Sequence, residues 1–176
     1  MWVFWVARKR QDKSGESEGK GGKELKIITV QVVTRDRVVR NDRQMALLWI
    51  VDKFGPLHER TLQHLVHKLE EFGAELGYDD FSLVGGVPYS PTLKSDIVAL
   101  LYVGFIETEP NMYRKLRVTN DGKDALEKYA VPAKLAEIVS DNFEELRNTA
   151  SIIDNQVDLQ IRRRMMERRR PRRSFI

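Results

Sequence analysis

The sequence predicts a mainly helical α+β protein with a long C-terminal helix and a basic tail. Three observations carry that prediction. Between residues 41 and 103, three stretches repeat apolar residues at helical spacing, and each runs into a glycine. After them, "FIETEPNMYRKLRVT" alternates as two short strands around a turn at Pro110-Asn111. From residue 132 onward apolar residues recur every three or four positions, and the chain closes with "IRRRMMERRRPRRSFI". A length of 176 residues with 41% hydrophobic content suits one domain with extensions.

Residues 1–26 read as an arm and linker. "MWVFWVA" is a short strand or a surface-docked arm, and "QDKSGESEGKGGKELK" is polar, glycine-rich and without periodicity. Positive charge follows the apolar run, which is the reverse of a signal peptide. Seven apolar residues are also too few to cross a bilayer, which takes about 20. No membrane partner is expected, and the reading is cytoplasmic.

Residues 27–131 form the expected domain. "KIITVQVVTRDRVV" is rich in β-branched residues and predicts one or two strands. Asn41, with Gln44 three residues on, has the capping-box pattern that starts a helix, and "FGPL" stops it. The second helix spans 58–72 with Leu62, Leu65, Val66, Leu69 and Phe72 on one face and Gly73 at its end. "YDDFSLVGGVPYSPTL" is a tight turn in which Ser90 caps a third helix over 92–103, with Pro91 at its first turn and Gly104 at its end. The ribbon follows, and "NDGKDALEKYA" makes a short helix closed near Pro132.

Residues 132–161 predict one long helix. Leu135, Val139, Phe143, Leu146, Ala150, Ile153, Val157 and Ile161 are spaced 4, 4, 3, 4, 3, 4, 4. Such a stripe either packs back onto its own domain or pairs as a coiled coil. In the second case Val139, Phe143, Leu146, Ala150, Ile153 and Val157 are the dimerisation residues.

Charge is unevenly placed. The tail, 162–176, carries eight bases and one acid, and 1–26 carries seven bases and four acids. That leaves 15 bases and 21 acids for 27–161, so the body is acidic although the chain is +4 overall. A nucleic-acid surface needs bases to replace phosphate counterions, so here it must be local. The absence of cysteine excludes disulfides, thiolate catalysis and Cys-based metal sites. High charge without cysteine also suits a thermophile.

The order helix, helix, helix, ribbon is that of a winged helix. Within it stand Gly55-Pro56-Leu57 with Leu62-Gln63-His64-Leu65, then Val87-Pro88-Tyr89-Ser90-Pro91 with Leu93. Gly104-Phe105-Ile106 and Leu116-Arg117-Val118-Thr119 leading to Gly122 complete the set. These marks, over roughly 44–129, resemble the small winged-helix proteins of archaea and phage-associated operons, including SocA/Panacea antitoxin-type domains. Val87 stands where that pattern has glycine, and Arg117-Val118 replaces a single residue. The resemblance implies either a DNA-binding regulator or an antitoxin- or adaptor-like protein-binding module.

The residues arbitrate between these uses. A DNA-reading third helix needs Arg, Lys, Asn or Gln on its outer face. Residues 92–103 offer Thr92, Lys94, Ser95 and a repulsive Asp96, which makes a poor reader. The ribbon is better supplied, with Tyr113, Arg114, Lys115 and Arg117 placed for phosphate contact or simply forming a solvated turn. Arg35, Arg37, Arg40 and Arg43 make a second local patch, one that a strand edge would also favour. In the tail, Arg162, Arg163, Arg164, Arg168, Arg169, Arg170, Arg172 and Arg173 argue for contact with a polyanion.

Other chemistry finds little footing. His64, His67 and Glu71 share a helical sector with Arg60, which would repel a cation, and they read as a solvated face rather than a metal site. Gly85-Gly86 is a turn and not a phosphate loop, and Asp79-Asp80 is a solvated loop. No cofactor and no enzymatic activity is expected. The leading expectation is a dimeric winged-helix nucleic-acid-binding regulator, with DNA favoured over RNA. The alternatives are a protein-interaction module of the antitoxin or adaptor kind, and a ribonucleoprotein component anchored by its basic ends.

Overall fold

Helix α1 (Arg35–Val39) opens the part of the chain that a computed structural model describes, residues 33–169. It overturns the strand expected there; the rest of that stretch, 27–32, lies outside the described residues. Valines favour strands only when they find a pleated surface to pack on. Here Val38 is fully buried, and the Arg35 guanidinium donates to the Val103 carbonyl at 3.1 Å and pairs with Asp121 at 2.6 Å. Tertiary contacts therefore override local propensity.

Helix α2 (Asp42–Phe54) begins at Asn41, whose side chain accepts from the Gln44 N–H at 3.4 Å. The capping box is not closed, because the Gln44 amide turns inward to Asp96 at 2.8 Å. Gly55, at φ +83°, ends the helix. Helix α3 (Glu59–Glu71) buries Leu62, Leu65, Val66 and Leu69 completely. It closes with a Schellman motif: Gly73 sits at φ +84°, its N–H donates to the Glu70 carbonyl, and the Ala74 N–H donates to the Leu69 carbonyl, both at 2.9 Å.

The stretch read as a tight turn is a full hairpin. Strands β1 (Ser82–Val84) and β2 (Val87–Tyr89) pair antiparallel across Gly85 and Gly86, both at positive φ as a two-residue hairpin turn requires. Helix α4 (Pro91–Val103) follows, with Ser90 Oγ accepting from the Leu93 N–H at 3.0 Å and Gly104 left-handed at its end. Strands β3 (Ile106–Thr108) and β4 (Leu116–Val118) form the expected ribbon, pairing Ile106 with Val118 and Glu107 with Arg117. Leu57, between α2 and α3, bridges to Leu116 through two backbone hydrogen bonds of 3.1 and 2.8 Å.

Helix α5 (Asn120–Leu126) is capped by Thr119 Oγ1, which accepts from the Gly122 N–H at 3.1 Å. A Cβ on Gly122 would lie 2.2 Å from the Phe105 carbonyl oxygen, so no other residue fits between this helix and the ribbon. The single helix expected over 132–161 is two: α6 (Ala133–Asp141) and α7 (Phe143–Arg169). Asn142 breaks them at φ −110° and ψ 15°, where its side-chain amide donates to the Ile138 carbonyl at 2.9 Å. Helix α7 continues through the arginines to Arg169, for a length of about 40 Å.

The described residues are thus mainly helical, with two small antiparallel sheets. Its core joins Met45, Leu48, Leu62, Leu65, Ile97, Leu100 and Ile106 with Leu135 of α6 and Leu146 of α7. The stripe assigned to a dimer seam is divided between α6 and α7 and faces this core. Val139, Leu146, Ala150 and Ile153 are buried, while Phe143 stacks on Phe54 at 5.5 Å and Val157 is half-buried. The reading in which the stripe packs back onto its own domain describes this geometry, and a second helix has no access to Leu146 or Ala150. Among the described residues, no helix is long and apolar enough to cross a membrane.

Candidate nucleic-acid interface

The ribbon tip is shaped by Asn111. Its side-chain oxygen accepts from the Tyr113 and Arg114 N–H groups at 2.9 and 3.1 Å, holding Arg114 at φ +52°. The Arg114 side chain is exposed and has no partner among the described residues. Its neighbours are committed. Lys115 Nζ lies 2.7 Å from Asp154 and 3.4 Å from Asp158 of α7, with only 20% of its side chain exposed. Burial alone would lower its pKa, but the hydrogen bond to Asp154 and the charge of both carboxylates outweigh that and raise it. Arg117 pairs with Glu107 across the ribbon at 2.8 Å. Lys115 is therefore a structural cation rather than a free phosphate ligand.

In the sequence Asp154 and Asp158 are only charges flanking the apolar stripe, four positions apart. Asp154 also accepts from the His58 backbone N–H at 3.1 Å and from the Thr61 hydroxyl, while Asp158 lies 2.6 Å from His58 Nε2. His58 precedes α3 and gives it no side-chain cap. Asp154 takes one of the backbone N–H groups left over at this helix start, and the two carboxylates together tie α7 to both α3 and the ribbon.

The start of α4 is equally occupied. Asp80 Oδ2 accepts from the Thr92 N–H at 2.9 Å, its other oxygen accepts from the Ser90 hydroxyl, Lys94 pairs with Glu59, and Ser95 donates to the Pro91 carbonyl at 3.0 Å. Asp80, read from the sequence as a solvated loop residue, is exposed and also anchors the start of α4. Burial alone would raise its pKa, but the hydrogen bonds from Ser90 and Thr92 together outweigh that and bring it below the usual carboxylate value. Asp96, expected to repel DNA from the outer face, is 4% exposed and points inward. Arg43 at 2.7 Å, Gln44 at 2.8 Å and the Tyr78 hydroxyl at 3.1 Å all donate to it. Burial and this carboxylate push the Tyr78 phenol far above its ordinary pKa. Arg43 and Arg35 are consequently both committed to partners within the fold, although 58% of the Arg35 side chain stays exposed.

The outward face of α4 carries Pro91, Ser95, Val98 and Tyr102, with Val98 50% and Tyr102 66% exposed. It presents no cation and no amide. On α3, His64 and His67 are half-buried rather than solvated. The His67 ring meets Phe81 edge-on at 4.9 Å, and burial, then Arg60 and His67, lower the His64 pKa. Among the described residues no group of three His, Asp or Glu is placed to hold a metal ion.

The arginine end is where cations remain open. Arg162, Arg163, Arg164 and Arg168 are all exposed on the last turns of α7. Arg162 Nε donates to the Tyr113 hydroxyl at 2.6 Å, and its guanidinium lies 5.5 Å from the ring centroid. This contact brings the ribbon tip beside the arginine helix. The side chain of Arg169 and the whole of Arg170, Arg172 and Arg173 lie outside the described residues. Comparison with protein-family models, curated proteins and solved structures returns no match to this chain.

Proposed function

We propose that this chain is a winged-helix protein that grips nucleic acid by its phosphate backbone rather than by its base edges. The order α2, Leu57 bridge, α3, α4, β3, β4 supports the winged-helix reading. One observation carries the function: the Arg162–Tyr113 contact sets the ribbon tip, with its exposed Arg114, beside the turns of α7 that carry Arg162, Arg163, Arg164 and Arg168. Bases clustered around an aromatic ring match a polyanion without specifying sequence. Helix α4 adds no base reader, so specificity for an operator is not expected from it.

Fluorescence anisotropy with a 20-base-pair duplex, its scrambled version and the matching RNA tests this reading. Arg164→Ala/Arg168→Ala should weaken binding about tenfold and flatten the log–log salt slope by about two. Arg114→Ala should flatten it by about one more. Binding that tracks one duplex sequence, or that survives all three substitutions unchanged, would refute the proposal. A second reading, a protein-binding adaptor, is favoured by the apolar outward face of α4. Tyr102→Glu should leave nucleic-acid affinity untouched while abolishing any co-purifying protein partner.

A further inference from the structure

Helix α7 has a second face that its own domain leaves uncovered. Ile152, Leu159 and Met166 are 59%, 53% and 69% exposed and fall seven residues apart, so they stack along the side opposite Leu146 and Ala150. Asn155 and Gln156 lie midway between the first two. Charge along the helix is segregated. Residues 143–158 hold four acids and one base, whereas 159–169 hold five arginines and one acid. Every described side chain from 162 to 168 is exposed, so these turns project with little apolar packing and with like charges Arg164 and Arg168 one turn apart.

We infer that this outward face pairs with the same face of a second copy of the chain, antiparallel, about a two-fold axis passing between Asn155 and Gln156. The axis sets Ile152 against the partner's Leu159 and Leu159 against the partner's Ile152. The amides of Asn155 and Gln156 meet at the centre, where each has both a donor and an acceptor to offer. Charge decides the direction. An antiparallel pair lays the arginine turns of one copy beside Glu144 and Glu145 of the other, while a parallel pair stacks arginines on arginines. Arg163 falls on the paired face. Arg164 and Arg168 fall on the opposite side, so pairing leaves them open. The interface is self-complementary, as a two-fold contact must be, and its small apolar area makes it a reversible one.

Sedimentation velocity on the full chain tests the pairing, and cross-linking tests its direction. Wild-type protein should show a concentration-dependent dimer that weakens as salt rises. Ile152→Glu, which buries two charges per dimer, should raise the dissociation constant about 100-fold. Because the chain has no cysteine, single cysteines report geometry cleanly. Asn155→Cys should cross-link through a short bis-maleimide. Asn148→Cys should not, since the two copies of that position lie about 22 Å apart along an antiparallel axis. A monomer at every concentration, a dimer indifferent to Ile152→Glu, or efficient cross-linking at position 148 would each overturn the inference.

Discussion

Lys115 and Arg164 both come from basic stretches, yet the fold treats them oppositely. Lys115 sits in a cluster of three bases at the ribbon and is enclosed by Asp154 and Asp158. Arg164 sits in a run of three arginines on turns of α7 that project from the domain, and it stays open to solvent. A basic run becomes a basic surface only where no acid from another element reaches it. Two acids of α7 reach the ribbon, whereas among the described residues no acid forms an ion pair with Arg163, Arg164 or Arg168.

Three substitutions probe that contrast. The largest effect belongs to the best-enclosed acid: Asp96→Ala strands the Arg43 guanidinium and the Tyr78 hydroxyl, and should cost about 3 kcal/mol in urea unfolding. Next, Asp154→Asn should cost about 2 kcal/mol by weakening the contacts to His58, Thr61 and Lys115. The same substitution should tighten nucleic-acid binding, because it frees a cation at the ribbon; no gain in affinity would mean that Lys115 faces away from the bound strand. The smallest effect lies at Asp80, whose carboxyl is held below its ordinary value. Its contribution is complete above that ordinary value, about pH 4, and is lost as pH falls through the lower folded one. Asp80→Asn should therefore narrow the difference in stability between pH 5 and pH 2, measured by thermal melting, without changing nucleic-acid affinity at neutral pH.

What could be read from the sequence was local. Asn41 and Ser90 each accept a backbone N–H three residues on, and Gly73 and Gly104 close helices through bonds within one turn. The apolar face of α3 and the ribbon were legible for the same reason, since their patterns repeat over a few residues. The partners of Asp96 and Asp154 were not, because Arg43 is 53 positions from Asp96 and His58 is 96 from Asp154. Nothing in a four-residue window says which lysine a carboxylate will meet. The break at Asn142 was hidden differently. The apolar spacing continues across it unchanged, so a stripe that packs against one core looks like one helix. Of the proposed interface, the arginines were legible, and the contact through Tyr113 was not.

The single bridge between Leu57 and Leu116 has a consequence in time rather than in space. Its two hydrogen bonds join positions 59 residues apart, so they close only after α3, α4 and the ribbon have found one another. Amide protons at Leu57 and Leu116 should then exchange with solvent only when the whole domain opens. The amides of α7 beyond Ile161 should exchange at each local fraying, and their half-lives set against those two would clock how independently the arginine helix moves.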